Sequence, residues 1–238
     1  MDRIQPTLRP SPPLCGWQRW QQLTFLHWPA PVDAIRQLVP NELELDLHDG
    51  TAYVGLVPFR MEGVVPFRWW PKSLAFRFLE TNVRTYVHAR GRPGVYFFSL
   101  DAASRLAVLA ARWMWSLPYY YAHMQFQAEG DVLTYRCQRG AVTSTVRCRP
   151  GEPLGPVAPD SLEFFLLERY LLFVKRRGEL LSGQVHHVPY PAHAAELLEA
   201  DGNLISAAGL PCEGPPPLVH YSPGVEVEIF PLRRLAAG

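Results

Sequence analysis

One strand of a predicted hairpin carries polar side chains of the kinds that bind small acidic ligands. The strand that contains Arg84 is followed by a turn at residues 91–94 and by a second strand that contains Asp101. If residues 91–94 form a four-residue loop, Tyr86 lies opposite Ser99 and Arg84 lies opposite Asp101. Because side chains alternate along a strand, these residues share one face of the hairpin. The same face also carries Asn82, His88 and Phe97.

These residue types favour a particular chemistry. A guanidinium such as that of Arg84 can hold a carboxylate through two parallel hydrogen bonds. A carboxylate such as that of Asp101 could orient the guanidinium or move a proton. The polar face of an antiparallel hairpin can also simply meet water, but the residues named above include planar groups capable of bidentate contacts, and do not include the lysine and glutamate that are usual on solvated strands. We therefore predict that it lines an internal cavity.

A further group of candidate residues lies where a predicted helix meets a tyrosine-rich strand. Residues 107–122 read AVLAARWMWSLPYYYA, and Pro118 ends the helix. Tyr119 and Tyr120 point to opposite faces of the following strand, so one phenol is predicted to donate a hydrogen bond into the cavity. Arg112, in an apolar part of the helix, is predicted to be partly buried.

The histidines form no recognisable metal site. His186 and His187 are adjacent, so on a strand they point to opposite faces, and His193 adds a third candidate. No H-x-H or H-E-x-x-H spacing occurs, and the four cysteines form no C-x-x-C pair. We therefore predict no metal and no cofactor, and interpret His187 as a structural residue or as one that lines the cavity and binds the ligand.

The elements that position these residues are predicted to be mostly short strands. The 24 prolines and 17 glycines are spread along the chain, which is typical of many strands joined by turns. Helices are predicted near residues 31–38, 102–116 and 161–170. No composition change marks a domain boundary, so we predict an extended arm over residues 1–16 and a single domain over residues 17–238. The pattern favours a mainly β fold, an antiparallel barrel or sandwich with helices outside.

The composition excludes several functional classes. The formal net charge is +1, so the overall field attracts neither nucleic acid nor an anionic membrane. No run of about 18 apolar residues could span a bilayer, and the N-terminus lacks the features of a signal peptide. We therefore predict a cytoplasmic protein with a small-molecule ligand and with no nucleic-acid or membrane partner. A homo-oligomer is compatible with these features.

Several stretches together resemble the YqjF-like family of uncharacterised bacterial proteins. They are residues 57–66 (VPFRMEGVVP), 81–87 (TNVRTYV), 93–102 (PGVYFFSLDA), 111–122 (ARWMWSLPYYYA) and 168–191 (ERYLLFVKRRGELLSGQVHHVPYP). That family is similar in fold to acetoacetate decarboxylase. The resemblance therefore implies an acetoacetate-decarboxylase-like β-barrel with a few helices around it and a pocket inside.

The sequence departs from the decarboxylases at their nucleophile. In those enzymes a helix ends in Gly-Phe-Pro-Lys-Lys and delivers the lysine that forms an imine; here residues 117–120 (LPYY) stand at the matching positions. Arg112 matches the arginine of the decarboxylases' Gly-Arg-Glu stretch, although Trp113 replaces the glutamate. A phenol has no amine, so the resemblance implies no imine chemistry unless Lys72 or Lys175 reaches the pocket.

These observations predict a pocket for a small anionic or carbonyl-containing metabolite, without an imine-forming lysine. The candidate catalytic residues are Asp101, Tyr119 and Tyr120. The candidate ligand-binding residues are Asn82, Arg84, Tyr86, Ser99, Arg112 and His187. Any reaction would be acid–base or lyase-like chemistry. The alternative is a non-catalytic ligand carrier or an assembly subunit, in which the loop around Trp69 and Trp70 mediates contacts.

Overall fold

A computed structural model describes residues 1–235, and over that range the chain is mainly β. The strands are β1 (Gly16–Ala30), β2 (Glu44–Leu45), β3 (Ala52–Val65), β4 (Phe76–Ala89), β5 (Arg92–Ala102), β6 (Tyr119–Tyr121), β7 (His123–Glu129), β8 (Val132–Arg139), β9 (Val142–Pro153), β10 (Leu171–Arg176), β11 (Glu179–His186), β12 (His193–Gly202), β13 (Leu218–Ile229) and β14 (Arg233–Arg234). The helices are α1 (Val32–Leu38), α2 (Arg105–Trp115), α3 (Leu162–Leu167) and α4 (Leu204–Ala207). None of the described helices is both long and apolar enough to cross a bilayer.

One continuous sheet connects most of these strands in the order β14-β11-β10-β5-β4-β3-β1-β13-β12-β9-β8-β7. A further pairing of β11 with β13 closes a ring of β1, β3, β4, β5, β10, β11 and β13. The pairings β11–β13 and β5–β10 each span only two residue pairs, and the second is parallel. The predicted mainly β fold with a few helices is therefore confirmed, but the barrel is irregular and its sheet is mixed.

The central strands are buried on both faces. Along β3, Val54 and Leu56 belong to one apolar cluster, whereas the next residue, Val57, belongs with Phe59 to another. The second cluster lines the inside of the barrel, and the first packs the outer face of the barrel against β8 and β9. Because neither face meets water, these strands carry near-continuous apolar runs, and a polar residue within them stands out.

The turn of the β4–β5 hairpin is tighter than predicted. Arg90 and Gly91 alone form the turn, with φ values of 54° and 71°, as in a type I′ hairpin. Tyr86 consequently lies opposite Val95 and not opposite Ser99. The predicted four-residue loop is therefore wrong, because a two-residue turn satisfies the twist of the flanking strands without a longer connection.

A β-bulge then changes the faces of β5. Arg84 pairs with Phe97, but the preceding residue, Val83, pairs with Ser99, so one extra residue lies on β5. The bulge reverses the alternation beyond it, and Ser99 and Asp101 lie on the face of the sheet opposite Arg84. The predicted pairing of Arg84 with Asp101 is therefore wrong. The alternation of side chains along a strand does not reveal where a single extra residue is inserted.

The first residues of the chain lie against the barrel. Residues 1–15 contain a short 3-10 turn at Gln5–Thr7. The side-chain amide of Gln184 on β11 donates to the carbonyl of Pro6 at 2.9 Å, and Arg9 forms an ion pair with Glu228 of β13. The predicted extended arm is thus held against the strands that close the ring.

Candidate functional site

A cavity of about 210 Å³ lies inside the barrel, between its strands and helix α2. We call it the barrel cavity. Its walls are mainly apolar and include Phe25 of β1, Phe59 of β3 and Phe97 of β5. Leu106 and Ala110 of α2 line the cavity and are also exposed, so the cavity opens to solvent beside α2.

Helix α2 and the strand after it are placed by local signals. The Ser104 hydroxyl caps the helix by accepting a hydrogen bond from the Ala107 amide at 3.3 Å. The helix ends at Ser116, whose φ of 53° turns the chain out of the helical path before Pro118. Tyr119 then pairs in parallel with β5. As predicted, the chain passes directly from this helix into the tyrosine strand.

Arg84 provides a positive charge at one end of the cavity. Its side chain is only 8% exposed, and one Nη donates to the Leu166 carbonyl at 3.1 Å. In the described part of the chain its Nε has no hydrogen-bond partner, and no carboxylate pairs with it. The rings of Phe25 and Tyr86 lie 5.7 Å from the guanidinium. A buried cation held only by a carbonyl and aromatic rings retains free donors for an anion.

A buried carboxyl group, that of Glu80, lies at the other end of the cavity. Glu80 is 2% exposed, and the Tyr119 hydroxyl donates to its Oε2 at 2.7 Å. Burial raises the pKa of Glu80 to about 7, although hydrogen bonds from Tyr119 and Asn82 oppose part of this rise. Burial and the adjacent Glu80 raise the pKa of Tyr119 well above its usual value. The pair therefore combines a neutral phenol with a carboxyl group that populates both protonation states near neutral pH.

Sequence reasoning did not select Glu80, although its position contains the signal. Glu80, Asn82 and Arg84 alternate along β4 and all line the cavity. At about 3.3 Å per residue, the Cα atoms of Glu80 and Arg84 are roughly 13 Å apart. The cavity therefore has a cation at one end, a proton donor or acceptor at the other, and apolar walls between them. Extending the alternation by one more pair of residues would have found Glu80.

A cluster of rings and a second buried carboxylate stand behind the cavity wall. Tyr170 and Tyr190 line the cavity. The Tyr170 hydroxyl donates to Glu168 at 2.6 Å, and the Tyr190 amide donates to the same carboxylate at 2.9 Å. His187 stacks on Tyr170 with ring centroids 4.3 Å apart, and burial lowers the pKa of His187 to about 4. His187 is therefore a neutral ring that supports the wall without lining it.

The other predicted residues divide into neighbours of the cavity and residues beyond the sheet. Tyr86 donates to the Leu166 carbonyl at 2.9 Å, beside the same acceptor that Arg84 uses. Arg112 is exposed, so its predicted partial burial is wrong. It does not line the cavity, and its Nε donates to the Tyr119 carbonyl at 2.5 Å. The structure thus brings Asn82, Arg84 and Tyr119 together around the cavity and places Tyr86, Arg112 and His187 one contact away.

Ser99, Asp101 and Tyr120 lie on the opposite face of the sheet. Arg139 Nε is 2.8 Å from Asp101 Oδ1, within ion-pair distance but outside hydrogen-bond geometry. The Arg139 guanidinium also packs 4.0 Å over the Tyr120 ring. Burial raises the pKa of Asp101, although Arg139 and Ser99 oppose the rise. The structure does not bring these predicted site residues to the cavity. The β5 bulge turns Ser99 and Asp101 away, and Tyr120 of β6 pairs with Asp101 and lies on the same face.

A family model matches most of the chain. The DUF2071 family, described as an uncharacterized conserved protein, matches residues 17–226. The chain belongs to the DUF2071 family. It is also 38% identical over 221 residues to "Uncharacterized protein YqjF" of Bacillus subtilis strain 168, covering 91% of each chain. The predicted membership of a YqjF-like family is confirmed.

Solved structures show the fold of this DUF2071 protein. The acetoacetate decarboxylase of Legionella pneumophila matches with a TM-score of 0.67 at 15% identity, over 99% of this chain and 96% of that one. The enduracididine biosynthesis enzyme MppR, complexed with pyruvate, matches with a TM-score of 0.63 at 13% identity, over 97% and 93% of the two chains. The fold is therefore acetoacetate-decarboxylase-like.

The lysines of this DUF2071 protein lie outside the cavity. Lys72 Nζ is 5.2 Å from the Trp17 ring, and Lys175 pairs with Glu42. Neither is among the described residues that line the cavity. Within residues 1–235, no group of three or more His, Cys, Asp or Glu side chains is arranged to hold a metal. The polar groups that line the cavity include Arg84, Asn82 and the Glu80–Tyr119 pair. Arg169 also lines it, but its charge is paired with Asp46.

Proposed function

We propose that this protein binds a small, largely apolar carboxylic acid or acidic carbonyl compound in the barrel cavity, with the acidic group on Arg84. The observation that carries the proposal is a buried guanidinium that lines an apolar cavity and has no carboxylate partner in the described chain. A buried unpaired charge is unfavourable by several kcal/mol. A ligand carboxylate would remove that penalty and accept bidentate hydrogen bonds.

The Glu80–Tyr119 pair adds acid–base capability at the opposite end of the ligand. A pKa of about 7 lets Glu80 accept or donate a proton near neutral pH. With a carbonyl group beside it, the Glu80 carboxylate would take a proton from the adjacent carbon. The electron pair would move to the carbonyl oxygen, and the Tyr119 hydroxyl would stabilise the resulting oxyanion. This enolisation needs no lysine.

The similar structures are consistent with this ligand class. MppR is complexed with pyruvate, and the Legionella enzyme is an acetoacetate decarboxylase. Pyruvate and acetoacetate are both small acids that carry a carbonyl group. Only the ligand class is applied to this protein and not the imine chemistry, because residues 117–120 (LPYY) provide no amine for an imine.

Calorimetric titration tests the binding. The probes are straight-chain monocarboxylates from acetate to octanoate, their oxo derivatives and the matching primary amides. We expect acids to bind, amides to bind weakly, and Arg84→Gln to weaken the binding of the best acid at least about tenfold. Arg60→Gln is the matched control, since Arg60 lies outside the cavity and pairs with Glu62. Equal affinities for Arg84→Gln and the native protein would refute the proposal.

Hydrogen exchange distinguishes an enzyme from a carrier. The best oxo acid is incubated with protein in D₂O, and NMR follows the protons next to its carbonyl group. We expect faster exchange with native protein and loss of that increase with Glu80→Gln, while Glu80→Gln still binds the acid. Binding without accelerated exchange would instead support the non-catalytic carrier.

A further inference from the structure

Helix α2 presents an apolar stripe to solvent. Leu106 is 68% exposed, Leu109 67% and Trp113 79%, and Ala110 is also exposed. Their spacing of three and four residues places them on one face of the helix. The same helix buries Val108 against the barrel. Its outward face is therefore an apolar surface that the fold of a single chain leaves uncovered.

The charged residues of α2 are turned away from this stripe. Arg112 donates to the Tyr119 carbonyl, and its guanidinium lies 5.3 Å from the Tyr120 ring. Arg105 lies 4.5 Å from the Tyr121 ring. Both guanidinium groups are thus held against strand β6 of their own chain. Arg105 and Arg112 are exposed beside the stripe, but the residues of the stripe itself carry no charge.

The stripe continues onto the loop between β3 and β4. Phe67 and Trp113 border the same surface hollow, and the Phe67 ring stacks on Trp69 at 5.2 Å. Trp69 is 73% exposed. We call Phe67, Trp69, Leu106, Leu109 and Trp113 the α2 patch. Its exposed side chains present roughly 700 Å², more than the largest patch of a typical monomer and close to one partner's share of a standard interface.

We propose that two copies of this chain associate through the α2 patch and that each copy closes the other's cavity. In a two-fold interface the same patch faces itself, and an uncharged apolar stripe is complementary to itself. The centre of the stripe lies at Leu109 and Ala110, where the small alanine permits close approach of two helices. Leu106 and Ala110 also border the cavity mouth, so a partner helix on the stripe covers that mouth.

Sedimentation velocity on the full chain tests the association. We expect the native protein to sediment as a dimer at micromolar concentration, and Leu109→Glu to sediment as a monomer with native circular dichroism. Leu109→Glu places two like charges at the centre of the interface, whereas the control Leu198→Glu introduces the same change on β12. A native monomer, or a Leu109→Glu variant with unchanged mass, would overturn the proposal.

Disulfide cross-linking tests whether the two-fold axis of the proposed dimer passes close to Ala110. Ala110→Cys is oxidised and compared with the native chain and with Ser206→Cys on α4 by non-reducing electrophoresis. We expect a covalent dimer with Ala110→Cys only. The same preparations are mixed with anionic and zwitterionic vesicles. Absence of the covalent dimer, or a native monomer that sediments with anionic vesicles, would assign the patch to another occupant. These readouts need no cavity ligand, so they are independent of the proposed function.

Discussion

Both faces of the β4–β5 hairpin hold a buried carboxyl group beside a tyrosine, but the surroundings differ. Asp101 lies within ion-pair distance of Arg139, and Tyr120 packs on that same guanidinium. Glu80 is held by the Tyr119 hydroxyl and faces a cavity, without a cationic partner in the described chain. Arg139 compensates part of the charge of Asp101, although burial still raises the pKa of that carboxyl group. Glu80 has a pKa of about 7 and faces the cavity, so it can exchange a proton with a bound ligand.

The largest expected effect comes from breaking the ion pair. Asp101→Ala should lower the free energy of unfolding by about 3 kcal/mol at pH 7, because it leaves the mostly buried Arg139 charge unpaired. Urea denaturation measures this change. Asp101→Ala should bind the cavity ligand with native affinity, and a large loss of affinity would show that the two faces are not separate in function.

The next prediction is a pH dependence of stability that Glu80 produces. Because burial raises the pKa of Glu80 to about 7 from its ordinary 4.5, the folded protein binds more protons than the unfolded chain between these values. Glu80 should therefore contribute most to stability below about pH 4.5, and this contribution should fall by on the order of 3 kcal/mol as the pH rises to 7. Urea denaturation across this range should show the unfolding free energy of the native protein falling, relative to that of Glu80→Gln, by this amount. Buried histidines such as His187, whose pKa burial lowers to about 4, contribute equally in both proteins. Identical pH profiles would mean that Glu80 is not buried as described.

Removing the phenol hydroxyl sharpens the comparison further. Tyr119→Phe deletes a hydrogen bond to Glu80 and should cost about 1 kcal/mol, measured by urea denaturation at pH 8. It should also raise the pKa of Glu80, since the bond stabilises the ionised form, and this shift can be followed by NMR titration of the carboxyl carbon. Tyr120→Phe is the matched control, and it should leave that titration unchanged. Equal shifts in both variants would contradict the assigned faces.

The fold and one wall of the site could be predicted from the local sequence pattern. Proline and glycine spacing indicated many strands, and Pro118 marked the passage from α2 into β6. Alternation along β4 correctly placed Asn82 and Arg84 on one face. These predictions succeed because they depend on backbone geometry over a few residues, which neighbouring side chains largely determine.

The partner of Arg84 could not be predicted from local sequence pattern. The predicted Arg84–Asp101 pair assumed an uninterrupted ladder, and the bulge at Phe98 breaks it. Which tyrosine faces the cavity depended on how β6 docks beside β5. Tyr119 lies toward Glu80, whereas Tyr120 lies toward Arg139 of β8, which is distant in sequence.

The sequence by itself determined a mainly β chain, its family, and a strand whose polar residues alternate toward one side. Only the tertiary structure decided that Glu80 and Tyr119 meet over a cavity while Asp101 lies behind the sheet. The physical reason is that alternation is a property of one strand, whereas faces and partners depend on register between strands. A single unpaired residue reverses a face, and such a residue is selected by packing across the whole barrel.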